Sequence, residues 1–252
     1  MSSPICEALL EMHYFRALVR HFKSILGADQ LQILKPTQQR EKWLGFDQGF
    51  VRGPRAGRAL EGELKDFIHS NVRPLSVFRA FFLQFKVVDQ RRSRRGAPAG
   101  WTKPWYSADL STSPDKDTKI SQHETLVRLS QLPNTEVAYA CPMLFGLGDL
   151  VDEPDPATLR TVDVRSAPSG WLTSGGHRLA FQDPVAQAFW CSEPIPAKDW
   201  NFTEALERLP RLDEEHLRKF MGEVRGLVWE DTDRPFRRKV LPPSLIVVGT
   251  NR

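Results

Sequence analysis

The chain has 252 residues, 40% of them hydrophobic and 26% charged, and its 35 Lys and Arg against 31 Asp and Glu leave a net charge of +4. That is enough apolar content for one large folded domain or two small ones, and the charge balance is only mildly basic. The three cysteines, Cys6, Cys141 and Cys191, are far apart and form no CxxC pair, which argues against a disulfide scaffold or a structural zinc site and suits a reducing compartment. No run of about 18 apolar residues is present. Met1-Ser2-Ser3-Pro4 lacks the basic start and apolar core of a signal peptide. The expectation is a cytoplasmic protein with no membrane partner.

Residues 7–27 read as an amphipathic helix, with Phe15, Leu18, Phe22 and Ile25 at spacings of three or four and Gly27 as a stop. Leu31 to Leu34 is a short apolar run that fits a strand. Thr37 opens a short second helix that Gly45 ends, and a strand is expected from Asp47 to Arg52. Residues 53–60 are loop-like and carry Arg55 and Arg58, followed by a helix over 61–69 and a turn at 75–79. Phe81 to Val88 reads as a buried strand with two polar residues set into it. Residues 91–118 read as irregular: Arg91, Arg92, Arg94 and Arg95 are followed by Gly and Pro residues, with Trp101, Trp105 and Tyr106 interleaved. A helix over 121–132 begins at Ser121, and Val137 to Cys141 forms a strand, which makes a strand–helix–strand crossover. Beyond 148 the expected strands are 161–164, 177–181 and 245–248, the expected helices 203–209 and 213–228, and 192–200 is loop-like. Asp152, Glu153, Pro154, Asp155 and Pro156 mark the one candidate boundary.

Two polar residues stand out in the apolar strand. Gln84 and Lys86 lie two apart and share one face, while Leu83, Phe85 and Val87 share the other. A lysine in such a strand is unfavourable without a partner. Asp47 upstream is the natural candidate. Phosphodiester cleavage needs a divalent cation on oxygen ligands, an activated water and neutralisation of phosphate charge. A carboxylate such as Asp47 is a hard ligand suited to Mg²⁺, the Gln84 amide offers a weaker oxygen, and the compact Lys86 ammonium suits water orientation or oxyanion stabilisation. No GxxxxGK[ST], GxGxxG, HExxH or GxSxG pattern is present, so nucleotide-driven and serine-hydrolase chemistries have no support.

Gly45-Phe46-Asp47 and Gln84-Phe85-Lys86, together with the element order over roughly the first 145 residues, resemble the PD-(D/E)xK (restriction-endonuclease-like) nuclease superfamily in its Gln-x-Lys variant. The resemblance implies an α/β fold with a mixed central sheet flanked by helices. The core would span 1–145 with an insertion at about 53–78, and an α+β extension over 146–252 would pack on it. It implies an Mg²⁺- or Mn²⁺-dependent DNA endonuclease acting in defence against foreign DNA, with Asp47, Gln84 and Lys86 catalytic. Asp47, Gln84 and a first-helix glutamate would hold the metal. Glu11 is the choice for that glutamate, with Glu7 on the same helix and Glu41 on the short helix before Asp47 as alternatives. Arg91, Arg92, Arg94, Arg95 and His123 would contact DNA, with Gln122 also near the phosphate. Trp101, Trp105 and Tyr106 would be available to stack on bases. A homodimer or a partner protein would be a further partner. The rival readings are a catalytically degenerate module of the same fold that binds nucleic acid or a partner protein, and a structural subunit using Trp171, Trp190, Trp200 and Trp229.

Overall fold

The hydrophobic strands collect into two separate sheets, and the helices sort to the two faces of the first. The computed structural model describes residues 5–27, 31–53, 57–74, 78–150, 152–156, 159–168, 176–191, 194–201 and 204–205. All belong to the unit Met1–Pro210; Arg211–Arg252 forms a second unit outside the described residues. The helix expected over 213–228, the strand at 245–248, Trp171 and Trp229 therefore lie outside them, as does most of the helix expected over 203–209.

The first sheet contains β1 (Leu31–Leu34), β2 (Gln48–Arg52), β3 (Arg79–Phe85), β6 (Thr135–Cys141) and β7 (Arg160–Asp163), in that spatial order. Only the β3–β6 pair is parallel. A parallel pair needs a crossover, and α4 (Gln122–Leu129) lies on it. The Ser121 side chain caps α4 by accepting from the Glu124 N–H at 3.0 Å. Helix α1 (Glu7–Leu26) packs its Leu10, Leu18 and Phe22 on the face made by Phe50, Phe81, Leu83 and Phe85. The opposite face, with Val51, Ala80, Phe82 and Val137, is covered by α2 (Gln38–Leu44), α3 (Gly57–Ser70) and α4, and by residues of the second sheet. The stretch 53–78 therefore contributes a helix to the core layer. Leu60, Leu64 and Ile68 of α3, spaced by four, are buried in that layer.

The second sheet is antiparallel throughout. Its order is β10 (Ile195–Pro196), β9 (Ala188–Cys191), β8 (Arg178–Phe181), β5 (Trp105–Asp109) and β4 (Asp89–Arg91). One of its strands, β5, lies within the segment expected to be irregular, and β4 ends at that segment's first residue, Arg91. The expected division at 145 also runs through both sheets, because β7 joins the first sheet and β8 pairs with β5. Among the described residues no helix is long and apolar enough to cross a membrane.

Candidate active site

The site grows from the register of β2 on β3. Gln48 pairs with Leu83, which sets Asp47 opposite Gln84 one step beyond the strand end. The Asp47 N–H continues the pairing by donating to the Leu83 carbonyl at 3.0 Å. Alternation along the strands then places Asp47, Gln84 and Lys86 on the face shared with α2 and α4. Asp47 Oδ2 accepts from Gln84 Nε2 at 2.9 Å and from the Phe85 N–H at 2.6 Å. All three side chains are buried, Gln84 completely.

Lys86 has its partner, and it is not Asp47. Its Nζ donates to Glu7 Oε1 at 3.1 Å and to Gln122 Oε1 at 3.3 Å. Gln122 Nε2 in turn donates to Glu41 Oε1 at 3.4 Å. One amide thus links the lysine to a second carboxylate, and α1, α2 and α4 each supply one residue of the chain Glu7–Lys86–Gln122–Glu41. Glu11 goes elsewhere. Asp47 and Gln48 are consecutive and point to opposite faces, and Glu11 meets Gln48 on the α1 face, where its Oε1 accepts from Gln48 Nε2 at 3.3 Å and is paired with Lys35. The glutamates that surround Lys86 and its amide are Glu7 and Glu41.

Burial lifts the Asp47 carboxyl to about 7, and the nearby Glu41 carboxylate adds to the rise; the Phe85 N–H and Lys86 oppose it. A divalent cation is the group that such crowded carboxyls would favour. Among the described residues no group of three or more His, Cys, Asp or Glu side chains is placed to hold a metal ion. Mg²⁺, however, usually takes only one or two carboxylates and keeps its remaining positions for water and phosphate. Gln84 Oε1 is buried beside Asp47 with no hydrogen-bond partner, an arrangement that costs about 1–3 kcal/mol unless something fills it. Asp47 and the Gln84 amide oxygen fit the donor chemistry of a hard cation.

His123 is displaced from its expected role. It is fully buried, its Nδ1 lies 2.8 Å from the Tyr139 hydroxyl, and its ring stacks on Tyr139 with a centroid separation of 6.0 Å. Burial lowers it to about 4. A neutral ring inside the core meets no phosphate, and the partly exposed position at the start of α4 belongs to Gln122, one residue earlier. Arg91 is tied into the second sheet, 3.1 Å from Asp89 and bonded through Nε to Ser107 Oγ at 2.8 Å. Arg92, Arg94 and Arg95 are exposed. Trp105 and Tyr106 are buried, and Trp101 packs edge-on against Phe189, so these rings serve the second sheet. Cys141 and Cys191 are buried, and burial pushes the Cys141 thiol up to about 12.

No protein-family model matches the chain, and neither a curated protein nor a solved structure does.

Proposed function

We propose that the protein is a metal-dependent nuclease with a restriction-endonuclease-like core, hydrolysing DNA phosphodiester bonds at Asp47, Gln84 and Lys86. The observation that carries the reading is the cross-strand pair. Asp47 and Gln84 face each other on a buried floor with a free amide oxygen, and a lysine held by two partners stands two residues on. The first sheet supports the fold reading: three antiparallel strands, then a parallel strand reached through a helix, with α1 on the opposite face.

Asp47 and Gln84 would hold Mg²⁺ or Mn²⁺, which when bound polarises the phosphate and lowers the pKa of water. Lys86 presents its ammonium to a phosphate oxygen or the attacking water. Glu7 and Gln122 fix its direction, so little reorganisation is needed as charge develops. Arg92, Arg94 and Arg95, on the chain leaving this strand, supply positive charge for the flanking backbone.

Nicking of supercoiled plasmid in Mg²⁺ or Mn²⁺ tests this. Lys86→Ala should lower the rate about 10²–10³-fold while the melting temperature stays within a few degrees. Equal nicking by this variant overturns the assignment. Metal-insensitive DNA binding without cleavage by the wild type favours the degenerate-module reading, for which the neutral Gln84 in place of an acid speaks.

A further inference from the structure

Helix α2 also forms one wall of a cleft. Glu41 faces the site through Gln122, while its neighbours Arg40, Lys42 and Trp43 line a cleft of about 530 Å³ against α3. That volume is in the range of pockets that take cofactor-sized molecules, roughly 300–1,000 Å³. The charges in the cleft are unevenly matched. Arg40 pairs with Glu61, and Lys42 lies 3.7 Å from Asp117. Arg58 and Lys65 have no carboxylate partner among the described residues. They sit seven positions apart on α3, two turns of one helix face and about 10.5 Å along the axis. Lys65 rests on the Trp43 indole, 3.7 Å from its centroid.

Between those two cations, on the same face, is Gly62. Glycine is among the least favourable residues in a helix interior. Close packing does not require it here, because a Cβ at Gly62 would meet nothing within 4 Å. What the glycine provides is a bare floor between two unmatched cations and beside an aromatic ring.

We infer that this cleft binds a single-stranded nucleic-acid segment, with Arg58 and Lys65 taking phosphates, a base stacking on Trp43, and the backbone crossing Gly62. Anion neutralisation and base stacking are the two elements of sequence-tolerant single-strand binding. A duplex, whose major groove alone is about 12 Å wide, does not enter such a cleft. Lys65 covers the indole in the free protein, and its flexible stem lets it swing to a phosphate and uncover the ring. Because the cleft and the candidate active site share α2, the segment is one that leads to or from the bond cleaved; that purpose rests on the nuclease reading, whereas the binding itself does not.

The experiment is fluorescence anisotropy of the full-length protein with a labelled ten-nucleotide single-stranded DNA and with its blunt duplex, in EDTA. Arg58→Ala/Lys65→Ala should weaken single-strand binding at least tenfold and reduce the slope of log affinity against log salt by about 1.4, two phosphates at 0.7 each. Duplex binding should change less than twofold. Gly62→Phe, at an exposed position with open space, should weaken single-strand binding by filling the floor, with no change of charge. Unchanged single-strand affinity in the double variant, or equal losses on both probes, overturns the inference. Single-strand binding by a wild type that does not nick would overturn the active-site reading and keep the cleft. Nicking that persists while the cleft variants bind normally would do the reverse.

Discussion

Asp47 is held in a position where its ionised form is unfavourable without a cation. Its folded value of about 7 lies above the ordinary value of 3.8. A raised value means that the stability it contributes is fully present below about pH 4 and is lost as pH rises through about 7. Asp47→Asn keeps an oxygen to accept the Phe85 N–H and removes the titration. In EDTA, calorimetry should show this variant melting about 3 °C or more above wild type at pH 8, with a shallower decline between pH 4 and 7. A melting curve that tracks wild type across that range would show that the carboxyl is not strained. His123 is the opposite case, a residue whose role is to stabilise the core. His123→Phe leaves the buried Tyr139 hydroxyl without its partner, so urea denaturation should show a loss of about 1–3 kcal/mol with DNA affinity unchanged. Gln122→Ala tests the other reassignment. It should slow nicking about 10²-fold by freeing Lys86 from its orientation and leave stability nearly intact, because the residue is half-exposed. That Lys86 needed a partner was legible from an apolar strand; that the partners are Glu7 and Gln122 was not, because they come from helices distant in sequence.

The elements position these side chains through a few close approaches. Gly45 ends α2 in the left-handed region with φ 78°, and a Cβ there would lie 2.8 Å from Thr125 Cγ2 on α4. The contact sets the spacing of the helices that carry Glu41 and Gln122. Gly45→Ala should therefore cost about 2 kcal/mol in denaturant unfolding, part backbone strain and part overpacking. Adding Thr125→Ser removes the clashing methyl and keeps the hydroxyl that donates to the Ser121 carbonyl, so it should restore part of the loss. No restoration would mean that backbone strain alone matters. The periodicity of α1, the Thr37 and Gly45 end signals of α2 and the apolar run of β3 were readable locally. Strands β4 and β5 were not, since their pairing with each other and with β8 is made by tertiary contact, and the Gly- and Pro-rich chain between them resembles a loop.

At the scale of the molecule, both sheets use strands from either side of residue 145. A fragment ending at 145 would lose β7 from the first sheet and β8, β9 and β10 from the second. That fragment should show no cooperative melting transition, while residues 1–210, which hold both sheets, should melt in a single one. Cooperative unfolding of the short fragment would restore the simpler division. The first helix, the β2–β3 and crossover elements, and the alternation that puts Gln84 and Lys86 on one face were legible in the sequence, because these follow from periods of 3.6 and 2 and from glycine stops. Tertiary pairing and packing set Asp47 opposite Gln84 on that face, chose the glutamate that stands by Lys86, put His123 inside while leaving Gln122 partly exposed, and built the second sheet. Those outcomes depend on strand register, on helix packing and on pairing between segments far apart in the chain, none of which leaves a local pattern.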